Sequence, residues 1–260
     1  MKPVLDSERR LLEFESLPST QELLSERIRT GDRSVGVVLA FEQTAGRARR
    51  GRSWYSPAGG SLSLSLALFD YAGWSRPELL GMAVGLAAAR ALDCLVAWPN
   101  DLVLGDPLAA ERGTLSGDGV RTAWGKRGLR KIGGVLTEMI AGCDGREVPV
   151  VGIGANLCVR SFPHELKGIA TSFTLEGRAA PSPREACDRI LKEIEALPEP
   201  HSWSVLASGW AERDATPGKR YRLPDGRVAT GVAINAAGWL IADAGGDVVT
   251  VPSAEGLFPP

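Results

Sequence analysis

Seven consecutive residues carry the densest charge in the chain: Gly46-Arg47-Ala48-Arg49-Arg50-Gly51-Arg52, four arginines in one short window. Guanidinium groups bind phosphate oxygens through paired hydrogen bonds, and the glycines let backbone amides approach a ligand. Gln43 and Thr44 lie just before the run, and Trp54 and Tyr55 follow it. The pattern reads as a flexible loop that folds over a phosphate-bearing ligand; a solvated basic loop has the same composition. It is no Walker A loop, which ends in Gly-Lys-[Ser/Thr].

Three further stretches add chemistry. Trp98-Pro99-Asn100-Asp101 follows an apolar run. An amide and a carboxylate at a strand's end can hold a ribose or a phosphate-bound magnesium ion, or close a turn on their own backbone. Lys131-Ile132-Gly133-Gly134-Val135-Leu136 puts a lysine at the mouth of a strand whose glycines mark close approach by a ligand or another backbone. That lysine can neutralise a carboxylate and a phosphate as they react, or it can snorkel at a strand end. Val151-Gly152-Ile153-Gly154-Ala155-Asn156 lacks the third glycine and the following helix of a dinucleotide fingerprint. It reads as a strand whose glycines leave room for a ligand, with Asn156 supplying hydrogen bonds. The chain has only 2 histidines, so arginine, lysine and backbone amides must carry any catalysis.

Regular elements must hold these stretches. Ser19-Thr20-Gln21-Glu22, Ser75-Arg76-Pro77-Glu78 and Ser182-Pro183-Arg184-Glu185 each fit the S-x-x-E capping box. Apolar residues at helical spacing follow, predicting helices near 19–30, 76–93 and 183–197. Ser61 to Leu68 alternates leucine with small residues, which predicts a half-buried strand. Val35–Phe41, Leu95–Trp98, Ile132–Met139 and Val148–Leu157 are further strands. Helices and strands do not alternate regularly, which points to an α+β fold built on a mixed sheet. After Pro198-Glu199-Pro200 the texture changes to short β-type runs: Arg220–Leu223, Val228–Ile234, Trp239–Ala242 and Val248–Val251. These predict a small SH3-like antiparallel barrel, giving domains 1–212 and 213–260. Gly105 to Arg130, rich in glycine and charge, reads as a long mobile loop.

Composition narrows the classes. The 260 residues carry 30 Lys+Arg against 31 Asp+Glu, a net charge of -1, which excludes a broadly basic nucleic-acid coat. No signal-like or membrane-length apolar stretch is present, so the expectation is a cytoplasmic protein. The 4 cysteines lie far apart without a CxxC and read as reduced core filler.

Taken in order, Gln43 to Pro57, the WPND at 98–101, the KIGGVL at 131–136 and the GIGAN at 152–156 closely resemble the motifs of biotin protein ligases. Pro18-Ser19-Thr20-Gln21 is similar to that family's Ser-Thr-Asn stretch, and the terminal barrel agrees. The resemblance implies the biotin/lipoate ligase fold and a two-step reaction. Biotin and Mg-ATP give biotinyl-5′-AMP, and a lysine of a biotin carboxyl carrier protein then takes the biotinyl group. It implies Lys131, Arg47, Arg49 and Arg50 as catalytic residues. Biotin would be held by Ser19, Thr20, Gln21, Gln43, Gly46, Arg47, Trp54, Lys131, Gly133, Gly152 and Gly154. The nucleotide would be held by Arg49, Arg50, Arg52, Trp54, Asn100 and Asn156, with Asp101 the candidate magnesium ligand. No tightly bound prosthetic group is expected, nor DNA or membrane contact; the monofunctional type is implied, and a homodimer is compatible with it.

Three departures stand out. Ala48 replaces a usual glycine, Gln21 a common asparagine, and about 30 positions separate Asp101 from Lys131 where the family uses a few. A neutral surface loop explains the insertion better than a lid or an acceptor contact, because loops tolerate added length cheaply. Lipoate and octanoate enzymes share the fold but typically carry an Arg-Arg-x-Gly-Gly-Gly loop and a His-Asp pair, both absent here. An RNA-binding module using the arginine loop and the barrel is the alternative of another class.

Overall fold

The computed structural model describes residues 1–6, 8–105 and 128–258. The expected long loop falls mostly on residues 106–127, outside the described residues.

Seven strands build the main sheet: β1 (Arg10–Phe14), β2 (Val35–Ala40), β3 (Ser61–Ala67), β4 (Leu95–Ala97), β5 (Asp101–Leu104), β6 (Arg130–Ala141) and β7 (Glu147–Asn156). Their order is β1-β2-β3-β7-β6-β5-β4. β1 and β2 run parallel, and the other neighbouring pairs run antiparallel. The fold is therefore mixed α+β, as the irregular element order implies.

Helices cover both faces of this sheet. On one side α1 (Thr20–Arg29) sets Leu24 and Ile28 against Val35, Val38, Ala67 and Val150. On the other, α2 (Pro77–Leu92) and α3 (Pro183–Ala196) pack Leu79, Leu86, Ile190 and Ile194 against Leu62, Leu64, Leu66, Val151 and Ile153. Each fully buried leucine of this kind contributes about 1.5–3 kcal/mol. The alternation in β3 predicts a half-buried strand, yet all its residues are buried. Its leucine face meets α2 and α3, while α1 covers the small-residue face.

The capping grammar holds at two of three helices. Ser182 and Glu185 form a full capping box, and Ser19 caps α1 by accepting from the Glu22 N–H at 3.4 Å. The box expected at Ser75 is absent: α2 begins after Arg76, which has no side-chain cap hydrogen bond. The Arg76 guanidinium instead binds Glu78 and the Ala237 carbonyl. Burial pushes the Cys94 and Cys187 thiols up to about 12, as inert core residues. Cys143 and Cys158 contradict the core-filler reading, because they sit just past the ends of β6 and β7 and are exposed.

After a short helix, α4 (Ser204–Ala211), the chain forms a second, antiparallel sheet. Its strands are β8 (Arg220–Arg222), β9 (Val228–Ile234), β10 (Leu240–Asp243), β11 (Val248–Val251) and β12 (Glu255–Gly256), ordered β11-β10-β9-β8-β12. Tyr221, Leu223, Ala229 and Leu240 share one hydrophobic cluster with α2. Trp98 joins the sheets: its backbone N–H donates to Thr216 Oγ1 at 3.0 Å and its indole N–H to the Gly238 carbonyl at 2.9 Å. That docking places β12 beside the arginine loop.

Candidate functional site

A cavity of about 500 Å³ opens between the N-terminus of α1, the 43–56 loop, strands β3, β6 and β7, and β12. At one end lies a polar patch. The Thr20 N–H and Oγ1–H donate to Gln43 Oε1 at 2.8 and 3.1 Å, and Thr20 Oγ1 lies 2.8 Å from Ser65 Oγ. Gln21 spans from the Val150 carbonyl, to which its amide donates, to Ser65, whose hydroxyl donates to Gln21 Oε1 at 3.0 Å. With the Gln43 carbonyl end taken, the Nε2 donors are its capacity toward a ligand. Ser65 is a site residue that sequence reasoning missed; the signal was the small-residue face of β3.

The arginine loop folds as a closed hairpin. Arg47 bridges Ser53, the Ala48 N–H donates to the Arg52 carbonyl at 2.7 Å, and the Trp54 N–H to the Gly46 carbonyl at 2.8 Å. Ala48 lies at φ −131°, extended backbone open to any residue, so losing the usual glycine there costs nothing. Arg50 turns the chain at φ 58°, the left-handed region, immediately before Gly51. Each of the four loop arginines has a partner. Arg47 pairs with Glu22 and Glu138 at 3.0 and 2.6 Å, Arg49 donates to Asn100 Oδ1 at 2.8 Å, and Arg50 and Arg52 both reach Glu255 at 3.2 and 2.7 Å. Burial pulls Arg49 below the usual arginine range, with Asp101 opposing it and Arg50 and Arg52 adding to it. Glu255, on β12, carried no signal in the sequence.

Lys131 lines the cavity, and its backbone is held by β5 and by the 169–171 segment. Its ammonium donates to Asp101 Oδ1 at 2.6 Å. The other carboxylate oxygen, Oδ2, lies 3.4 Å from Lys219 Nζ, another residue that sequence reasoning missed. Asp101 is 5% exposed, and burial alone would raise its pKa; the two lysines overcome that and hold it below the usual carboxylate range. Lys219 is pulled down by burial, against the pull of Asp101. These contacts draw on the same carboxylate oxygens that a magnesium ion would use. No group of three His, Cys, Asp or Glu side chains placed to hold a metal occurs among the described residues, and a magnesium ion held mainly by phosphates needs only one or two carboxylates.

The remaining predicted residues divide. Asn100 braces the wall, accepting from Arg49 and donating to the Val135 carbonyl at 2.8 Å. Asn156 donates to the Thr171 carbonyl, while its buried Oδ1 has no partner among the described residues. A donor on a ligand would satisfy it. Gly152 and Gly154 line the cavity: a Cβ at 154 would meet the Trp54 ring at 2.5 Å, so the indole packs where that side chain would stand. Ser19 also lines it, as do Arg47, Arg49, Arg50, Arg52 and Trp54. Gly46 and Gly133 are not among its lining residues. Gly46 lets the hairpin close, since a Cβ there would strike the Trp54 carbonyl at 2.6 Å. Gly133 packs between strands against Gly154 and Leu102, and its neighbour Gly134 lines the cavity instead.

A cavity with donors for a neutral polar head, a partly buried lysine–carboxylate pair and a ring of arginines suits a ligand that joins a carboxylate to a phosphate. Comparison with known proteins agrees. Residues 13–156 match the biotin/lipoate A/B protein ligase family. The biotin--[acetyl-CoA-carboxylase] ligase of Mycobacterium tuberculosis is 32% identical, with 91% of this chain and 84% of that protein aligned. The Paracoccus denitrificans protein of the same name is 27% identical over 85% of this chain and 89% of its own. The biotin protein ligase of Aquifex aeolicus in complex with biotin and ATP shares the fold, with TM-score 0.69, 23% identity, and coverage of 96% of this chain and 98% of that one.

Proposed function

The chain belongs to the biotin/lipoate A/B protein ligase family, and from that premise we propose that it is an ATP-dependent biotin–protein ligase. It activates biotin to biotinyl-5′-AMP and passes the biotinyl group to a lysine of a biotin carboxyl carrier protein. The observation that carries this reading is the meeting of Lys131, Arg49 and the Gln43–Thr20–Ser65 patch in one cavity. The two named biotin ligases support biotin over lipoate or octanoate as substrate. The RNA-binding alternative loses its basis, since the arginines are paired with Glu22, Glu138, Glu255 and Asn100 rather than spread as an open basic face.

In the first step a biotin carboxylate oxygen attacks the α-phosphorus of Mg-ATP, and the bond to pyrophosphate breaks. Two anions must approach, so fixed positive charge lowers the barrier. Lys131 serves both carboxylate and phosphate; Arg49, Arg50 and Arg52 serve the phosphate chain, and Arg47 screens the loop side. The ureido ring lies at the polar end by Ser19, Thr20, Gln21 and Gln43, with Gly152 and Gly154 giving room and Trp54 covering it. Asn156 Oδ1 accepts from the nucleotide, and Asn100 holds Arg49. In the second step the neutral amine of the acceptor lysine attacks the acyl carbon. An amide forms, AMP leaves, and the amine's proton passes to solvent. The closed hairpin keeps water from the anhydride between the two steps.

The same proposal assigns residues 1–212 to the catalytic unit and 213–260 to an SH3-like unit, supported by the separate antiparallel sheet. A cytoplasmic location and a homodimeric assembly belong to it as well and rest on the family resemblance. No helix among the described residues is long and apolar enough to cross a membrane. Incubation with biotin, Mg-ATP and a purified carrier domain tests the whole reading: a streptavidin blot should detect the carrier only when all three are present, and an unlabelled carrier would oppose it.

A further inference from the structure

We infer that Lys219, supplied by the second sheet, is a positioning residue for adenylation: it takes up part of the Asp101 charge, so that Lys131 keeps its own for the reacting anions. The inference rests on the ligase reading above.

The geometry gives one carboxylate two cations. Lys131 holds Oδ1 at 2.6 Å and faces the cavity; Lys219 lies 3.4 Å from Oδ2 and is not among the cavity's lining residues. The Lys219 side chain is 2% exposed. Its ammonium lies 3.8 Å from the Phe258 ring centroid and 5.0 Å from that of Tyr221, with Gly256 packed so closely that any side chain there would collide with it. Burying a lysine this completely is costly, and replacing a buried ion pair with apolar groups is often neutral or stabilising. Stability alone therefore does not explain the residue.

Electrostatics does. A lone Lys131–Asp101 pair sums to zero, and its carboxylate would repel the carboxylate and phosphates of the substrates. With Lys219 the group carries a net positive charge, and only Lys131 can present it to the cavity. In a shielded site that surplus acts strongly on charge developing in the transition state.

The test is biotin-dependent pyrophosphate exchange in Lys219→Met and in Lys219→Met combined with Asp101→Asn. Lys219→Met should lower kcat by about 10- to 100-fold, with KM for biotin and ATP within about threefold of wild type. Adding Asp101→Asn removes the carboxylate that then neutralises Lys131 and should recover kcat at least about fivefold. Wild-type kcat in Lys219→Met, a loss confined to KM, or a deeper loss in the double variant would overturn the inference, the last because it marks a purely structural tether. Should Lys219→Met not fold, the double variant decides, since the one cation it leaves unpaired, Lys131, is partly exposed and lines the cavity: kcat within about tenfold of wild type supports the inference, and a larger loss overturns it. Wild-type protein without exchange would instead overturn the ligase reading, and the inference with it.

Discussion

Arg52 and Glu255 stand 203 positions apart in the chain and meet at 2.7 Å, with Arg50 on the same carboxylate. The second sheet thus holds two arginines of the ligand loop. Both guanidiniums are about half-exposed or more, so these pairs add at most about 1 kcal/mol to stability. In the proposed reaction their effect falls on the nucleotide, because Glu255 would compete with phosphate for the same donors. Glu255→Gln should lower KM for ATP about two- to fivefold and leave unfolding free energy within about 1 kcal/mol of wild type. Initial-rate kinetics check this; a raised KM would mean that Glu255 arranges the loop rather than competing for it.

Among the described residues Lys131 is the one lysine lining the cavity, and the proposed reaction has it touch both anions. Lys131→Met should reduce exchange by about 100- to 1,000-fold while the far-UV spectrum and Tm stay near wild type. Asp101 retains Lys219 as a partner in that variant, which is why the fold should persist. Exchange within a few-fold of wild type would remove Lys131 from the reaction.

The carboxylate between the lysines sets an acid limit on stability. Asp101 has its folded-state pKa lowered below the unfolded value near 3.9. Its contribution is therefore complete above that value and is lost as pH falls through the folded pKa. Asp101→Asn leaves two ammonium groups unpaired and should destabilise by about 3–5 kcal/mol at pH 7. Below about pH 4 the gap between variant and wild type should narrow. Urea titrations at a series of pH values measure both; a gap that does not change with pH would contradict the assignment.

Residues 106–127 join two strands that are already paired, with Leu104 opposite Arg130 and Val103 opposite Lys131. A short turn can close that gap, and each halving of loop length changes closure entropy by only about 0.6 kcal/mol. Deleting 107–127 behind a short glycine-containing linker should leave exchange within about threefold of wild type. Lost exchange from a folded deletion variant would make the segment functional.

Much of this site is legible in the sequence because its signals are local. Ser182 and Glu185 announce a helix within one turn, and the arginines, Asn100 and Lys131 sit in compact motifs. Other parts depend on distant pairing. Gly133 and Gly134 cannot be assigned to a face by counting, because a bulge between Leu102 and Val103 shifts the β5–β6 register. β1, Arg10-Leu11-Leu12-Glu13-Phe14, lacks the strict alternation of a strand and becomes one by pairing parallel with β2. Lys219 and Glu255 look like ordinary charges of a small barrel until that barrel docks through Trp98. Three-dimensional packing, not composition, turns them into parts of the site.

The central claim is that this cavity joins a biotin carboxylate to the α-phosphate of ATP. Exchange of labelled pyrophosphate into ATP, with biotin as the only variable, measures that step without any acceptor protein. The predicted result is exchange that requires biotin and magnesium and is not supported by lipoate. Exchange supported by lipoate but not by biotin, or no exchange from folded protein, would contradict the account.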